Sequence, residues 1–529
     1  MAQTVYKRQL IGNQSGVQVN MPIDTVERML VGAGEQSFAC VGQFTRGRID
    51  KPFLVSASKL QRYLGKAARN NHTYRQMVDA FENGASGAVV SRVVSEQAKN
   101  QFIAVSNEWA IRVAESVNGA DLFGLKIADC NQFGYRVEIN KNTGGLDGVN
   151  VKIFMLNQGD IVDETPAYEF SGSLNPDALN DVGESDYLPD VCAKYYGDLM
   201  TVQVNETLIE SIVSGGEVLT KLDDVAVAEK LQPFEDKGNP ASEQYKQASL
   251  ALGNTNIPYR YILGDSENTV IVMNLLNVAQ KYNRILVQEI SGSLNPSAAI
   301  AWKNNFQYDA QGGMYCLWVY SPIKRLDVLG MGGILQYGTV GQKIGKACAR
   351  NAILNGFGLP PLNRPIAGKD FMLSGAKVEQ IYFPDDTELA QLADNHINPV
   401  QYAEFHDGSG FVWDDSFSGA KKNGISKLEN AVEISQWFQD RVGRYARGLL
   451  QKPMSEAIRL MTRFVEDECQ AAQASAWLIP STKLGGLAYT YTVEPSERNP
   501  EDEMQVILNI AIDGVVRRIF ISQNMYSRN

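Results

Sequence analysis

Two rhythms alternate along the chain. Ser37-Phe38-Ala39-Cys40-Val41-Gly42 is a short apolar run and predicts a strand. Ser56 and Ser58 precede a short amphipathic run, Lys59 to Leu64, that stops at Gly65: a brief helix with serine caps and a glycine end. Tyr74, Met77, Val78 and Phe81 fall on one helical stripe that Gly84 terminates, and Ala88 to Val94 reads as a strand buried on both faces. This α/β rhythm stops near 95. It resumes near 284, with a strand at Arg284–Val287, a helix at Ser297–Asn305 and an apolar strand at Met314–Tyr320. In between, 99–264 is irregular and more acidic, with alternating runs such as Val149 to Met155 and an exposed loop at Pro233–Ser242. An inserted domain leaves that kind of gap in a regular pattern.

Both ends alternate with period two. Val17 and Val19 sit in an extended segment with no partner strand beside it in sequence. Near the other end the spacing predicts a helix over Lys427–Leu450, a break at Pro453, and a second helix restarted by Ser455 and Glu456, with Ile458, Met461, Phe464 and Val465 inward. Two alternating strands follow, Gln505–Ile512 and Val515–Ser522. The fold class expected is multidomain α/β and α+β. It comprises an extended arm over 1–24, a discontinuous α/β middle domain from 25–98 and 265–385, an inserted peripheral domain over 99–264, and a C-terminal α+β domain with a terminal arm over 386–529. Strands at both ends suggest exchange between subunits through Val17, Val19, Ile507, Ile510, Ile512 and Ile519. One octapeptide nearly repeats: Glu169-Phe-Ser-Gly-Ser-Leu-Asn-Pro176 returns as Glu289-Ile-Ser-Gly-Ser-Leu-Asn-Pro296. A strand-to-turn element used twice accounts for it, and duplication of a larger unit is the alternative.

Composition narrows the function. At roughly 150 residues per domain, 529 residues suggest about three or four domains. With Lys plus Arg at 49 and Asp plus Glu at 60, the net charge of −11 argues against a nucleic-acid coat. The six cysteines are scattered without a CxxC pair, which reads as reduced core thiols in a cytosol-made protein. No signal-type leader and no run of 18 apolar residues is present, so no membrane insertion is expected.

The search for chemistry finds little. His396 and His406 are ten apart, without the spacing of a helical metal pair. No serine centres a GxSxG elbow. The cluster Leu329-Gly330-Met331-Gly332-Gly333 lacks the third glycine of a dinucleotide fingerprint, because position 335 is Leu335. Gly341 to Ala347 imitates a phosphate loop but has Val340 and Ala347 where glycine and Ser/Thr belong. Both clusters read as turns. No catalytic residue, cofactor or metal is expected. Charge is uneven, however. Residues 427–463 hold seven basic and four acidic side chains, a local +3, and Arg441, Arg444 and Arg447 recur at i, i+3 on one helix face. That stripe is either a solvated face with local ion pairs or a surface for an acidic partner.

The order of segments resembles the contractile tail sheath proteins of myoviruses and related injection machines. The collinear pieces are Phe38 to Gly47 with Pro52 and Ser56; Tyr63-Leu64-Gly65; Phe81 to Ala85 followed by Val89 to Val93; and Ser173 to Ala178 with Gly183 to Leu188. Ala298 to Trp302, Leu317 to Pro322, Pro365 to Gly368, Ile397 to Val400 and Gly410 to Trp413 continue the order. The chain departs from the pattern where Asp414-Asp415-Ser416 replaces the usual Gly and Thr, and where Glu433-Ile434 replaces an Arg-Arg helix start. The resemblance implies a structural subunit rather than an enzyme. Its copies would stack as hexameric rings into a helical sheath around a tail tube protein, bounded by baseplate and tail terminator proteins, without direct contact to nucleic acid. The sheath would assemble in the host cytoplasm, reside in the virion, and contract to drive the tube through the envelope for genome delivery. Arg441, Arg444, Arg447, Arg459 and Arg463 are the residues expected to face the tube. A hydrolase with an unrecognised acidic site, or a static tube or capsid protein, are the alternatives.

Overall fold

The computed structural model describes residues 34–69, 71–96, 98–141, 146–157, 160–161, 165–197, 199–222, 225–231, 240–308, 312–375, 377–421, 423–520 and 522–523. Val17, Val19 and the rest of the expected N-terminal arm lie outside them. The chain divides into two compact units: one takes the residues up to Cys40, Arg69–Val89 and Ser249–Asn529, the other Val41–Ala68 and Val90–Ala248.

The first unit is built on a mostly parallel sheet. Seven of that sheet's eight strands are β1 (Ser37–Gly42) and β2 (Gly87–Arg92), which run on past the unit's limits at Cys40 and Val89, and β3 (Tyr261–Gly264), β4 (Ile285–Ile290), β5 (Cys316–Tyr320), β6 (Asn398–Phe405) and β7 (Gly408–Trp413), in the spatial order β2-β1-β3-β4-β5-β6-β7. From β1 to β6 the neighbours β1–β3, β3–β4, β4–β5 and β5–β6 are parallel, with Phe38 opposite Tyr261 and Leu286 opposite Cys316. Strands β6 and β7 form an antiparallel hairpin. Every residue of β1, β2, β4 and β5 is buried, the signature of parallel strands covered on both faces. The helices are α1 (His72–Glu82), α2 (Thr269–Tyr282), α3 (Pro296–Asn304), α4 (Val340–Ala352), α5 (Asp386–Asp394), α6 (Glu429–Arg447) and α7 (Met454–Ala474). Local signals place their starts: the Asn71, Asn268 and Asn295 side chains accept from Tyr74, Val270 and Ala298 N–H, and Asp385 with Glu388 closes a capping box on α5.

The imitation phosphate loop is helical, not a turn: Gly341 to Ala347 is the body of α4. Its glycines exist for close approach. A Cβ on Gly341 would stand 2.1 Å from the Gln76 carbonyl oxygen, and one on Gly345 2.4 Å from that of Ala80, so α1 and α4 touch backbone to backbone. The other cluster is a turn as expected, with Gly330 and Gly333 in the left-handed region.

The second unit is antiparallel. One sheet orders Tyr168–Gly172, Val149–Asn157, Tyr135–Lys141 and Ala226–Leu231; the other orders Met200–Val204, Asp121–Ile127, Gln101–Ser106 and Ile111–Val113. Tyr168–Gly172 alternates buried and exposed along its length, as a strand with one wet face does. A single apolar core joins residues of both sheets, among them Ile103, Leu125, Val137, Val151 and Phe170.

The division differs from the sequence reading in three places. Tyr261–Gly264, assigned there to the insertion, is an interior strand of the first unit, and Val41–Ala68 belongs with the second unit. The stretch 386–529 shares the first unit's sheet, because β6 pairs with β5. The repeated octapeptide is a local element in two settings. Asn295-Pro296 starts α3, whereas no helix follows Asn175-Pro176, and the intervening leucine is fully buried at Leu174 but only half-buried at Leu294.

Candidate assembly surfaces

Helix α6 anchors the region richest in expected contact residues. Its first four turns are buried almost throughout, although they carry Glu429, Asn430, Glu433, Gln436, Gln439 and Asp440. Polar burial on this scale is tolerable only when each charge meets a partner. Glu429 lies 2.8 Å from Lys343 of α4. Glu433 lies 2.7 Å from Arg350, also of α4, and accepts from the Tyr261 hydroxyl of β3 at 2.6 Å. Asp440 pairs with Arg284 at 3.1 Å and accepts from Asn283 Nδ2 at 3.1 Å. Arg260 donates to the Glu433 carbonyl oxygen and pairs with Glu35 at 3.1 Å. Burial alone would raise the Glu433 carboxyl, but the charge and hydrogen bond of Arg350 outweigh it and hold the group below the ordinary carboxylate range. Burial wins at Glu35, which is pushed up despite Arg260. Three of the four acids in the charge count are thus consumed inside the protein by bases from elsewhere in the chain.

Helix α7 packs its Ala457, Met461, Val465, Cys469 and Ala472 stripe against α6. Trp437 meets Trp477 edge-on at 5.6 Å, and Tyr445 stacks on Phe464 at 4.0 Å. Beyond α7 come two strands, β8 (Tyr489–Pro495) and β9 (Met504–Ile510), antiparallel with Tyr489 opposite Ile510 and Pro495 opposite Met504. Tyr489, Tyr491, Val493, Met504, Val506 and Ile510 pack toward the α6–α7 core. The opposite face carries the cross-strand pairs Asn509–Thr490 at 3.1 Å and Gln505–Glu494 at 2.8 Å, with Ile507 exposed between them. The hairpin is a sheet of two strands only, so among the described residues its outer edges have no strand partner.

The expected exchange residues therefore divide. Ile510 and Ile512 pack on their own core, Ile512 bridging to Leu478. Ile507 and Ile519 are exposed. The sequence reading missed β8, the intrachain partner of β9; the alternation Tyr489-Thr490-Tyr491-Thr492-Val493, rich in β-branched and aromatic residues, was the available signal. Val515–Ser522, expected as a strand, pairs with no strand among the described residues.

The basic stripe divides as well. Arg441 turns inward, 2.8 Å from Glu468 of α7 and beside the Trp437 ring, and burial pulls its guanidinium down to about 10. Arg444 is half-buried. Arg447, Arg459 and Arg463 are exposed, Arg463 standing 3.8 Å from Asp467 one turn on. Of the side chains the sequence grouped for a tube surface, three present their charge to solvent.

All six cysteines are buried and unpaired with one another. Among the described residues no three His, Cys, Asp or Glu side chains gather as metal ligands do, and no helix is long and apolar enough to cross a membrane. His396 donates Nδ1–H to the Ala420 carbonyl oxygen at 2.6 Å, a bond that fixes its tautomer because a carbonyl can only accept.

No family model and no curated protein matches this sequence. Solved structures do. A sheath tail protein from Listeria innocua superposes with a TM-score of 0.54 at 9% identity, covering 92% of this chain and 96% of that one. The fold is that of a tail sheath protein. A chain from the anti-feeding prophage baseplate in the contracted state matches with a TM-score of 0.50 at 10% identity, covering 98% of each chain. At 92–98% coverage of this chain, the likeness takes in residues of both compact units.

Proposed function

We propose that this chain is the structural subunit of a contractile tail sheath. The observation that carries the reading is likeness of fold to a sheath tail protein over nearly the full length of both chains. On this reading the subunit polymerises as stacked hexameric rings around a tail tube, between a baseplate and a terminator. It contracts from a metastable extended state to drive the tube through the host envelope. Such a device needs two packings of one folded subunit separated by a barrier, and no catalytic group. The unpaired edges of the β8–β9 hairpin supply a template for strand addition from a neighbour, and main-chain hydrogen bonds of that type hold while rigid bodies swing. The buried ion pairs of α6 support the same mechanics: they tie the helix pair to the α/β sheet, so the unit moves as one piece.

The unit formed by Val41–Ala68 and Val90–Ala248 is assigned to the periphery of the assembly, and Arg447, Arg459 and Arg463 to the wall facing an acidic tube. Negative-stain microscopy of the purified chain tests the function. Hollow helical cylinders are the expected result; discrete particles that never polymerise, with or without a tube, overturn it, and hydrolytic turnover would favour the enzyme alternative.

A further inference from the structure

The segment after the hairpin is bound in an unusual way. Backbone bonds carry it as far as Asp513: Ala511 N–H donates to the Ala488 carbonyl oxygen at 2.9 Å, Asp513 N–H to that of Trp477 at 3.0 Å, and Asn430 Nδ2 to the Asp513 carbonyl oxygen at 3.0 Å. From Gly514 to Phe520 no backbone hydrogen bond is made among the described residues. Val516, Ile519 and Phe520 are 76–89% exposed there. An extended stretch with open backbone and outward apolar side chains should leave the surface, yet one side chain returns to it. Arg517 donates Nε–H to Asp415 Oδ1 at 3.0 Å, and its guanidinium lies 3.8 Å over the Phe417 ring. Phe417 in turn stacks on His396 at 4.9 Å, so the aromatic floor is fixed from below. Both charged partners are largely covered, with side-chain exposures of 21% and 14%. Asp415 also belongs to the Asp414-Asp415-Ser416 stretch where this sequence departs from the pattern it otherwise resembles.

We propose that the Asp415–Phe417 notch is a docking site for this chain's own C-terminal arm, with Arg517 as the residue it recognises, and that it holds the arm on its own subunit until assembly withdraws it. The role in assembly rests on the sheath reading; the holding contact does not. The chemistry selects an arginine: a planar cation fits a carboxylate and an aromatic face at once, which a lysine does less well.

Trypsin reads the latch directly. Cleavage after Arg517 requires its guanidinium to leave the notch and enter the protease's specificity pocket, whereas cleavage after exposed Arg518 places the other side chain in that pocket. The ratio of the two products, resolved by mass spectrometry on the full-length protein, is therefore an internal measure of release. Asp415→Asn should raise the share of cuts after Arg517 roughly fivefold, Phe417→Leu should raise it less, and Asp415→Glu should restore most of the wild-type ratio. High salt should raise the ratio in the wild type and leave Asp415→Asn unchanged. An unchanged ratio in folded Asp415→Asn and Phe417→Leu overturns the docking site. The same variants should polymerise at a lower threshold concentration by light scattering. A threshold that is unchanged or higher overturns the restraining role. Failure of every form, wild type included, to polymerise would count against the sheath reading and leave the docking site to be decided by the cleavage ratio.

Discussion

Replacing Glu433 by glutamine should test whether the buried ion pairs hold the C-terminal helices to the sheet. The carboxylate is about 1% exposed, lies 2.7 Å from Arg350 and accepts from the Tyr261 hydroxyl at 2.6 Å. Glutamine keeps the volume and one acceptor oxygen but sets an NH2 donor against a guanidinium made only of donors. Glu35, Arg260, Glu433 and Arg350 together are neutral, so the substitution leaves one buried positive charge uncompensated. Losing one member of a buried pair costs about 3–5 kcal/mol, whereas replacing both by apolar groups of similar size is often nearly neutral. Glu433→Gln should therefore lose about 3–5 kcal/mol, and the double variant Glu433→Met with Arg350→Met should recover at least half of it. Full recovery is not expected, because the Tyr261 hydroxyl loses its acceptor, a deficit of about 1 kcal/mol or more. Urea unfolding followed by tryptophan fluorescence provides the assay, with Trp437 one turn along the same helix. For an m-value of about 3 kcal/mol/M the midpoint should fall by roughly 1–1.7 M. A loss below about 1 kcal/mol in Glu433→Gln, or a double variant worse than the single, would refute the claim that the pair anchors α6.

Three further outcomes follow from named contacts. Glu289 is buried, which pushes its carboxyl up to about 7 even though it accepts from Thr339 and Val340 N–H at the start of α4. A folded state that keeps a proton the unfolded chain releases is favoured at low pH, so this contribution, at most roughly 3 kcal/mol, is present below about pH 4.5 and lost as pH rises to about 7; Glu289→Gln should flatten that part of the stability–pH curve measured by denaturant titration. Gly345→Ala should destabilise by about 1–3 kcal/mol in thermal unfolding, because overpacking against the Ala80 carbonyl oxygen outweighs the ~1 kcal/mol that alanine adds to helix propensity. The triple variant Arg447→Glu, Arg459→Glu, Arg463→Glu should leave the fold intact by circular dichroism yet assemble poorly on tubes or directly in the contracted form; normal extended sheaths at low and high salt would mean these arginines are only a solvated face, as single exposed pairs are worth just ~0–1 kcal/mol each.

Periodicity alone determined much of this protein. The apolar runs at Ser37–Gly42 and Cys316–Tyr320, the stripe of α1, the helix pair split at Pro453 and the interruption of the α/β rhythm are all written in spacing, because each element must bury one face or both. That both glycine clusters depart from the phosphate-binding patterns was equally legible, since each pattern requires glycines at fixed intervals. What those glycines do instead was not: Gly341 and Gly345 serve a helix partner more than 250 positions away in the chain. The same limit hid the fate of the charges. Counting made 427–463 a basic stretch, but only the tertiary structure shows Glu429, Glu433 and Asp440 spent on Lys343, Arg350 and Arg284, and Arg441 turned inward to Glu468. Sequence spacing tells which residues share a helix face. Which side of that face meets solvent, and which distant partner answers a buried charge, is decided only when the chain folds back on itself and the cost of desolvation selects the pairs.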